Sequence, residues 1–179
     1  MEILSVSRLG LVAILGVTLV AGAKGQGNEY QVKAAFLYNF ARFVEWPATS
    51  FSSPTAPIVI CILGPNPFGQ ALDDAIHGKM LTGRPFAVRL ISDLPPKYGC
   101  PILFVNSSDR KHFRSMVGSF KGGAILAVGD SPGFIDDGGI INFKLEGDKI
   151  RFEINVEAAE QAQLSISSKL LSLAQIVRK

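Results

Sequence analysis

Cysteine, histidine, tryptophan and charge are all scarce in this chain, which has two cysteines, two histidines, one tryptophan and 18% charged residues. The histidines, His77 and His112, lie far apart, and neither has a second His or Cys at ligand spacing, so no metal-binding pattern is present. Low charge combined with 47% hydrophobic residues excludes a disordered tail. The formal net charge of +3 is small and the basic residues are scattered, which excludes a nucleic-acid surface. Arg110, Lys111 and Arg114 do cluster, but at the start of an expected helix, where they read as its solvated face. After residue 24 no apolar run approaches the roughly 20 residues that a membrane-spanning helix needs. No G-x-G-x-x-G motif follows a strand. Gly64 to Gly69 has the glycine spacing of a phosphate loop, but Gln70-Ala71 stands where Lys and Ser/Thr are required.

What is present begins at the N-terminus. Arg8 precedes an apolar run, Leu9 to Val20, and Ala21-Gly22-Ala23 then supplies the small-x-small pattern of a signal-peptidase site. We expect residues 1–23 to be a cleavable secretory signal, cut after Ala23, the alternative being an uncleaved anchor. Residues 24–179 are then one periplasmic domain, not inserted in the membrane, with a single sizeable core. The periplasm is oxidising, and Cys61 and Cys100 are the only cysteines available for a disulfide. Cys61 lies inside an apolar run, so a plain buried thiol is the alternative.

Apolar spacing predicts a helix over Glu29 to Trp46, with Val32, Phe36, Phe40, Phe43 and Val44 facing the core and Pro47 ending it. Tyr38 and Trp46 fall off that stripe and suit a contact surface. A Ser/Thr/Pro-rich linker, Ala48 to Pro57, follows. Strands are expected at Ile58 to Leu63, Phe86 to Ile91, Ile102 to Val105 and Ala124 to Val128. Helices are expected between them, one capped by Asn66 with Pro67 next, and one capped by Ser107 or Ser108. Alternation of this kind predicts an α/β domain with a largely parallel sheet flanked by helices. Ile140 to Leu145 and Lys149 to Ile154 then flank Glu146-Gly147-Asp148 as an antiparallel hairpin. Asn155 caps a final helix with Ile166, Leu170, Leu173 and Val177 on its core face.

Catalytic patterns are poor. Gly129-Asp130-Ser131-Pro132-Gly133 matches the G-x-S-x-G nucleophile elbow, yet Pro132 has no N–H to donate to an oxyanion, and both histidines precede the serine. A turn explains the same residues. Asp73-Asp74 and Asp136-Asp137 are adjacent pairs, read as solvated or capping. We assign no catalytic, metal or cofactor-binding residue and expect no enzyme.

Several blocks carry a resemblance. Tyr30-Gln31-Val32-Lys33-Ala34-Ala35-Phe36-Leu37-Tyr38-Asn39-Phe40 with Phe43-Val44-Glu45-Trp46-Pro47 resembles the opening of the YfiR-like periplasmic proteins. So do Val128-Gly129-Asp130, Gly133-Phe134 and Gly138-Gly139-Ile140-Ile141-Asn142-Phe143, then Arg151-Phe152-Glu153-Ile154-Asn155, Ala158-Ala159 and Ile166-Ser167-Ser168-Lys169-Leu170-Leu171. The resemblance implies a homodimeric periplasmic repressor that binds the sensor domain of an inner-membrane diguanylate cyclase, keeping cyclic-di-GMP and biofilm formation low. It further implies sequestration by an outer-membrane lipoprotein, release linked to disulfide reduction, and no cofactor. Cys61 and Cys100 fit one disulfide of that family, whereas the second pair its characterised members carry has no counterpart here. We place the partner-binding residues at Phe152, Glu153 and Asn155. A periplasmic small-molecule sensor, using the helix start near Asn66 to Gly69, is the competing expectation.

Overall fold

The computed structural model describes residues 23–93, 99–120 and 122–178. The expected signal segment, apart from Ala23, lies outside the described residues. Helix α1 (Ala23–Phe43) leads into a two-residue strand β1 (Val44–Glu45), then β2 (Ile58–Leu63), α2 (Ala71–Ile76), β3 (Met80–Leu81), β4 (Arg84–Ile91) and β5 (Ile102–Val105). Helix α3 (Arg110–Met116), β6 (Leu126–Gly129), β7 (Ile141–Glu146), β8 (Lys149–Asn155), α4 (Val156–Gln161), β9 (Ser165–Ile166), α5 (Ser168–Leu171) and β10 (Gln175–Val177) complete the order.

Eight strands form one sheet in the order β10-β8-β7-β6-β5-β2-β4-β3, and β1 pairs separately with β9. The stretch β4-β2-β5-β6-β7 is parallel throughout, β8 runs antiparallel to β7, and β10 is parallel to β8. The expected α/β architecture, a largely parallel sheet with a C-terminal antiparallel hairpin, is therefore what the chain adopts. Strand side chains alternate between the two faces. Ile58, Ile60, Ile62, Ile102, Phe104, Leu126 and Val128 enter the larger core cluster, with α1 and α2. Val59, Cys61, Leu63, Leu103, Val105 and Ala127 enter a smaller one, with Phe113 of α3 and Phe134. Both faces of the central strands are buried, which is why they read as continuous apolar runs.

Several elements differ from expectation. Helix α1 ends at Phe43, because its terminal carbonyl accepts from Ser167 N–H and Val44–Glu45 pairs with Ser165–Ile166. Its buried face is Lys33, Ala34, Leu37, Phe40 and Ala41, with Val44 of β1 buried just beyond its end, while Val32 is 38% exposed. Two alanines in that face let the helix lie close to the sheet; of the expected stripe Phe40 and Val44 are buried, Phe36 and Phe43 pack partly on the core, and Val32 alone turns outward. Asn66 caps a turn and not a helix: its Oδ1 accepts from Phe68 N–H, and Gly69 takes a positive φ before α2 begins. The strand expected from Phe86 starts at Arg84 and is preceded by β3, through a Thr82-Gly83 turn with both φ angles positive. After β5 the cap is Asn106, accepting from Ser108 N–H, and not either serine. The final helix is broken. Gln163 adopts φ 59°, Ser165–Ile166 leaves as a strand, and Ser167 caps the four-residue α5. Leu170 is buried, but Leu173 is 67% exposed and Val177 belongs to an edge strand, so the four apolar residues share no helical stripe. The supposed linker is ordered: Arg84 donates to the carbonyls of Ser53 and Ala56, and its guanidinium lies 3.9 Å from the Phe51 ring.

Candidate functional site

The connection from β6 to β7 is where the sequence concentrates glycine and aspartate, and its geometry accounts for each. Gly129 and Gly139 lie under the Phe134 ring, which a Cβ at either position would overlap. Phe134 can therefore settle on the smaller cluster, 4.8 Å from the Phe113 ring. Gly133 and Gly138 both take positive φ, which relieves the turn of strain.

Two carboxylates then tie this connection to both helical layers. On the α1 side Asp130 Oδ2 accepts from Lys33 Nζ and from the Tyr30 hydroxyl, both at 2.8 Å. Lys33 also meets Glu29 Oε1 at 2.6 Å. The side chains of Lys33 and Asp130 are only 5% and 6% exposed, so each charge depends on its partner. Burial, reinforced by the adjacent Asp130 carboxylate and by Glu29, pushes the Tyr30 phenol far above its ordinary value. On the α3 side Asp137 accepts from Arg110 Nε and, at 2.7 Å, from Arg114 Nε, while Arg110 Nη2 donates to the Gly133 carbonyl. This corrects one expectation and completes another. Asp137 is a buried clamp and not a solvated or capping residue, and Arg110 and Arg114 of the solvated cluster are its ion-pair partners. Sequence reasoning missed both clamps. The available signals were a lysine among Ala34 and Leu37 on a buried helix face, and aspartates bracketed by glycines.

Ser131 opens the same connection. Its Oγ is buried and has no hydrogen-bond partner among the described residues, and its carbonyl accepts from Phe134 N–H, as in a turn. His112 meets Asp93 at 3.1 Å on the surface and makes no hydrogen bond to the Ser131 hydroxyl. Among the described residues no group of three or more His, Cys, Asp or Glu side chains is placed to hold a metal.

The disulfide Cys61–Cys100 is formed, with Cα atoms 5.6 Å apart, and it joins the middle of β2 to the residues entering β5. Both half-cystines are buried in the smaller cluster. In open parallel sheets ligands favour the crevice where strand order reverses, here between the ends of β2 and β5. That crevice is occupied by the protein itself. Asn106 Nδ2 donates to the Pro65 carbonyl, and a Cβ on Gly64 would overlap the Asp109 carboxylate. The Asp109 carboxylate thus sits against Gly64, at the entry to the Asn66–Gly69 segment, a poor setting for an anion.

The hairpin β7–β8 carries the three residues singled out for partner binding. Phe152 is 4% exposed and packs edge-to-face with Phe36 and Phe40, at 5.4 and 5.1 Å between ring centroids. Asn155 is buried and caps α4, accepting from Ala158 N–H. Glu153 points to the opposite face, where it accepts from Asn142 Nδ2 at 3.1 Å and meets Lys144 Nζ at 3.5 Å. By strand alternation Lys144, Glu146, Lys149 and Arg151 share that face, making the outer side of the hairpin charged. Tyr38 and Trp46, the aromatics expected to form a contact surface, have internal partners. Tyr38 packs on Phe86 at 5.4 Å, and Trp46 Nε1 donates to the Pro101 carbonyl at 3.1 Å.

No helix among the described residues is long and apolar enough to cross a membrane. No curated protein matches this chain. Residues 30–175 do match the family described as YfiR/HmsC-like, a span that runs from Tyr30 of the buried ion cluster to Gln175 of the last strand. It takes in the double-clamped connection, the disulfide and the hairpin, and the chain belongs to the YfiR/HmsC-like family.

Proposed function

We propose that this protein is a periplasmic regulator that binds the outward-facing sensor domain of an inner-membrane diguanylate cyclase and holds the enzyme inactive. It thereby lowers cyclic-di-GMP and biofilm formation. The observation that carries this reading is the family match over residues 30–175. The protein acts by binding and not by catalysis, works as a homodimer, and is withdrawn from the cyclase by an outer-membrane lipoprotein.

The contact centres on the hairpin block Phe152, Glu153 and Asn155. Glu153 is the member that reaches the partner, from within the charged outer face. Phe152 anchors the strand in the core beneath it, and Asn155 fixes the start of α4. A charged sheet face suits the polar rim of a regulatory interface, where charges set orientation and encounter rate. Replacing Glu153 with Gln should weaken cyclase binding about tenfold and leave the melting temperature within about 1 °C, since Gln keeps the acceptor for Asn142 and the Lys144 contact, at 3.5 Å, contributes little to stability. Unchanged binding would remove the hairpin from the interface.

The disulfide supplies the release step. Closing a loop with a sequence separation of 39 residues contributes about 4 kcal/mol in the chain-entropy model. That is a large fraction of the roughly 5–15 kcal/mol stability of an ordinary domain. Reduction therefore raises the unfolded population of the regulator by up to about a thousandfold, and each unfolding event frees its partner. The test is capture of the tagged protein from crosslinked cell envelopes, with and without reductant, followed by mass spectrometry. A membrane diguanylate cyclase recovered only without reductant supports both repression and redox release. Recovery in both conditions keeps repression and discards the switch. Absence of any cyclase from both rejects the regulator reading.

A further inference from the structure

The sheet has an open rim that the regulator reading does not use. Strand β3 pairs with β4 only through Met80↔Pro85 and Leu81↔Arg84. From Phe86 to Ile91, among the described residues, β4 has a strand partner on one side alone, which is β2. Its outer side presents a row of backbone donors and acceptors, a feature that folded proteins usually keep short or cover. Phe86, Val88 and Leu90 alternate along this rim on the α1 and α2 face. Phe86 and Val88 pack partly against the larger cluster, and Leu90 is 61% exposed. Beside them runs an open groove of about 430 Å³ between the end of α2 and the strand, lined by Ile76, His77, Met80, Phe86 and Val88.

Asp73 and Lys79 both line the groove, and the Tyr38 ring beside Phe86 gathers two cations. Lys79 Nζ lies 5.7 Å and the Arg42 guanidinium 5.8 Å from the ring of Tyr38, which itself packs on Phe86. Among the described residues neither cation pairs with a carboxylate. We propose that this rim is a docking site for an extended segment of a partner protein, which adds as a strand beside β4. Its alternate apolar side chains lie over Phe86, Val88 and Leu90, and its carboxylates meet Lys79 and Arg42. Strand addition draws affinity from main-chain hydrogen bonds and specificity from alternate side-chain sites, and this rim offers both. A docked helix has its own backbone groups paired and leaves the rim unsatisfied. The segment Phe86 to Ile91 carries Arg89 and no carboxylate, so β4 of a second copy lacks the charge that Lys79 and Arg42 call for. This inference is independent of which protein the hairpin face binds.

The test uses the full folded protein and a short fluorescent peptide in which two aspartates precede alternating valine and threonine, with a permuted peptide of the same composition as control. Binding is read by anisotropy, and hydrogen exchange reports protection along β4. The patterned peptide should bind, protect the amides of residues 86–91, and lose about tenfold in affinity with Leu90→Asp or Lys79→Glu at unchanged melting temperature. Equal binding of the permuted peptide, or binding without protection of β4, overturns the proposal, as does no binding. Protection of those amides that appears without peptide and grows with protein concentration assigns the rim to a second copy and overturns it as well.

Discussion

The two faces of the sheet are held by different means. Under α1 and α2 the larger cluster packs aromatic on aromatic, with Phe40 against Phe143 and Phe152 and Phe68 against Phe104, and one buried ion pair, Lys33–Asp130, closes its end. Under α3 the smaller cluster has the Phe113–Phe134 pair, supplemented by the disulfide and by the Asp137 clamp to Arg110 and Arg114. A face with less apolar area to bury gains less from the hydrophobic effect, at roughly 25 cal/mol per Å². Covalent and ionic links make up part of the difference there. The contrast locates the redox-sensitive part of the molecule: breaking the disulfide affects the face with the least packing in reserve.

The largest effect that would sharpen this contrast is reduction of the disulfide. Loss of Cys61–Cys100 should cost about 4 kcal/mol in the chain-entropy model and lower the melting temperature by more than about 10 °C. Hydrogen exchange should rise first under α3, at Phe113 and Val117. Exchange rising equally under α1 would erase the distinction between the faces.

Next in size is the pair of substitutions Asp130→Asn and Asp137→Asn. The first leaves the Lys33 ammonium almost fully buried with Glu29 alone, and should cost about 3 kcal/mol in chemical denaturation. The second releases Arg110 and Arg114, whose side chains are 32% and 66% exposed and can turn to water, so about 1 kcal/mol is expected. Equal losses would show that the two clamps do the same work despite their different burial.

The smallest effect concerns Tyr30. Its phenol is held above the ordinary value in the folded state by burial and by Asp130. A group with a raised folded pKa contributes stability that is present below the unfolded value of about 10 and is lost as pH rises through the folded one. Ultraviolet difference spectroscopy should therefore show a phenol that ionises late at high pH. Tyr30→Phe should abolish that late step, and a late step that survives it would place the shielded phenol elsewhere.

Much of the fold was legible in the sequence. Ile58 to Leu63 and Ile102 to Val105 read as strands buried on both faces because both faces are covered, so their apolar runs are unbroken. The hairpin around Gly147 was legible because a positive φ there favours glycine. The final helix misled, since Ile166, Leu170, Leu173 and Val177 keep helical spacing while the chain bends at Gln163, where no glycine or proline marks the break. Of the residues singled out on the hairpin, the strand alternation behind Phe152 and Glu153 was readable, but which of them lies in the core was not.

By itself the sequence determined the α/β class, the largely parallel sheet implied by alternation, the two cysteines available for a bond and the family resemblance. Each of these is written in local periodicity, in composition or in contiguous motifs. Only the tertiary structure decided that Lys33 and Asp130, 97 residues apart, share one buried site, that Asp137 joins α3, and that β4 is left with an open edge. Such pairings depend on how close packed layers bring distant residues, and local spacing carries no information about that distance.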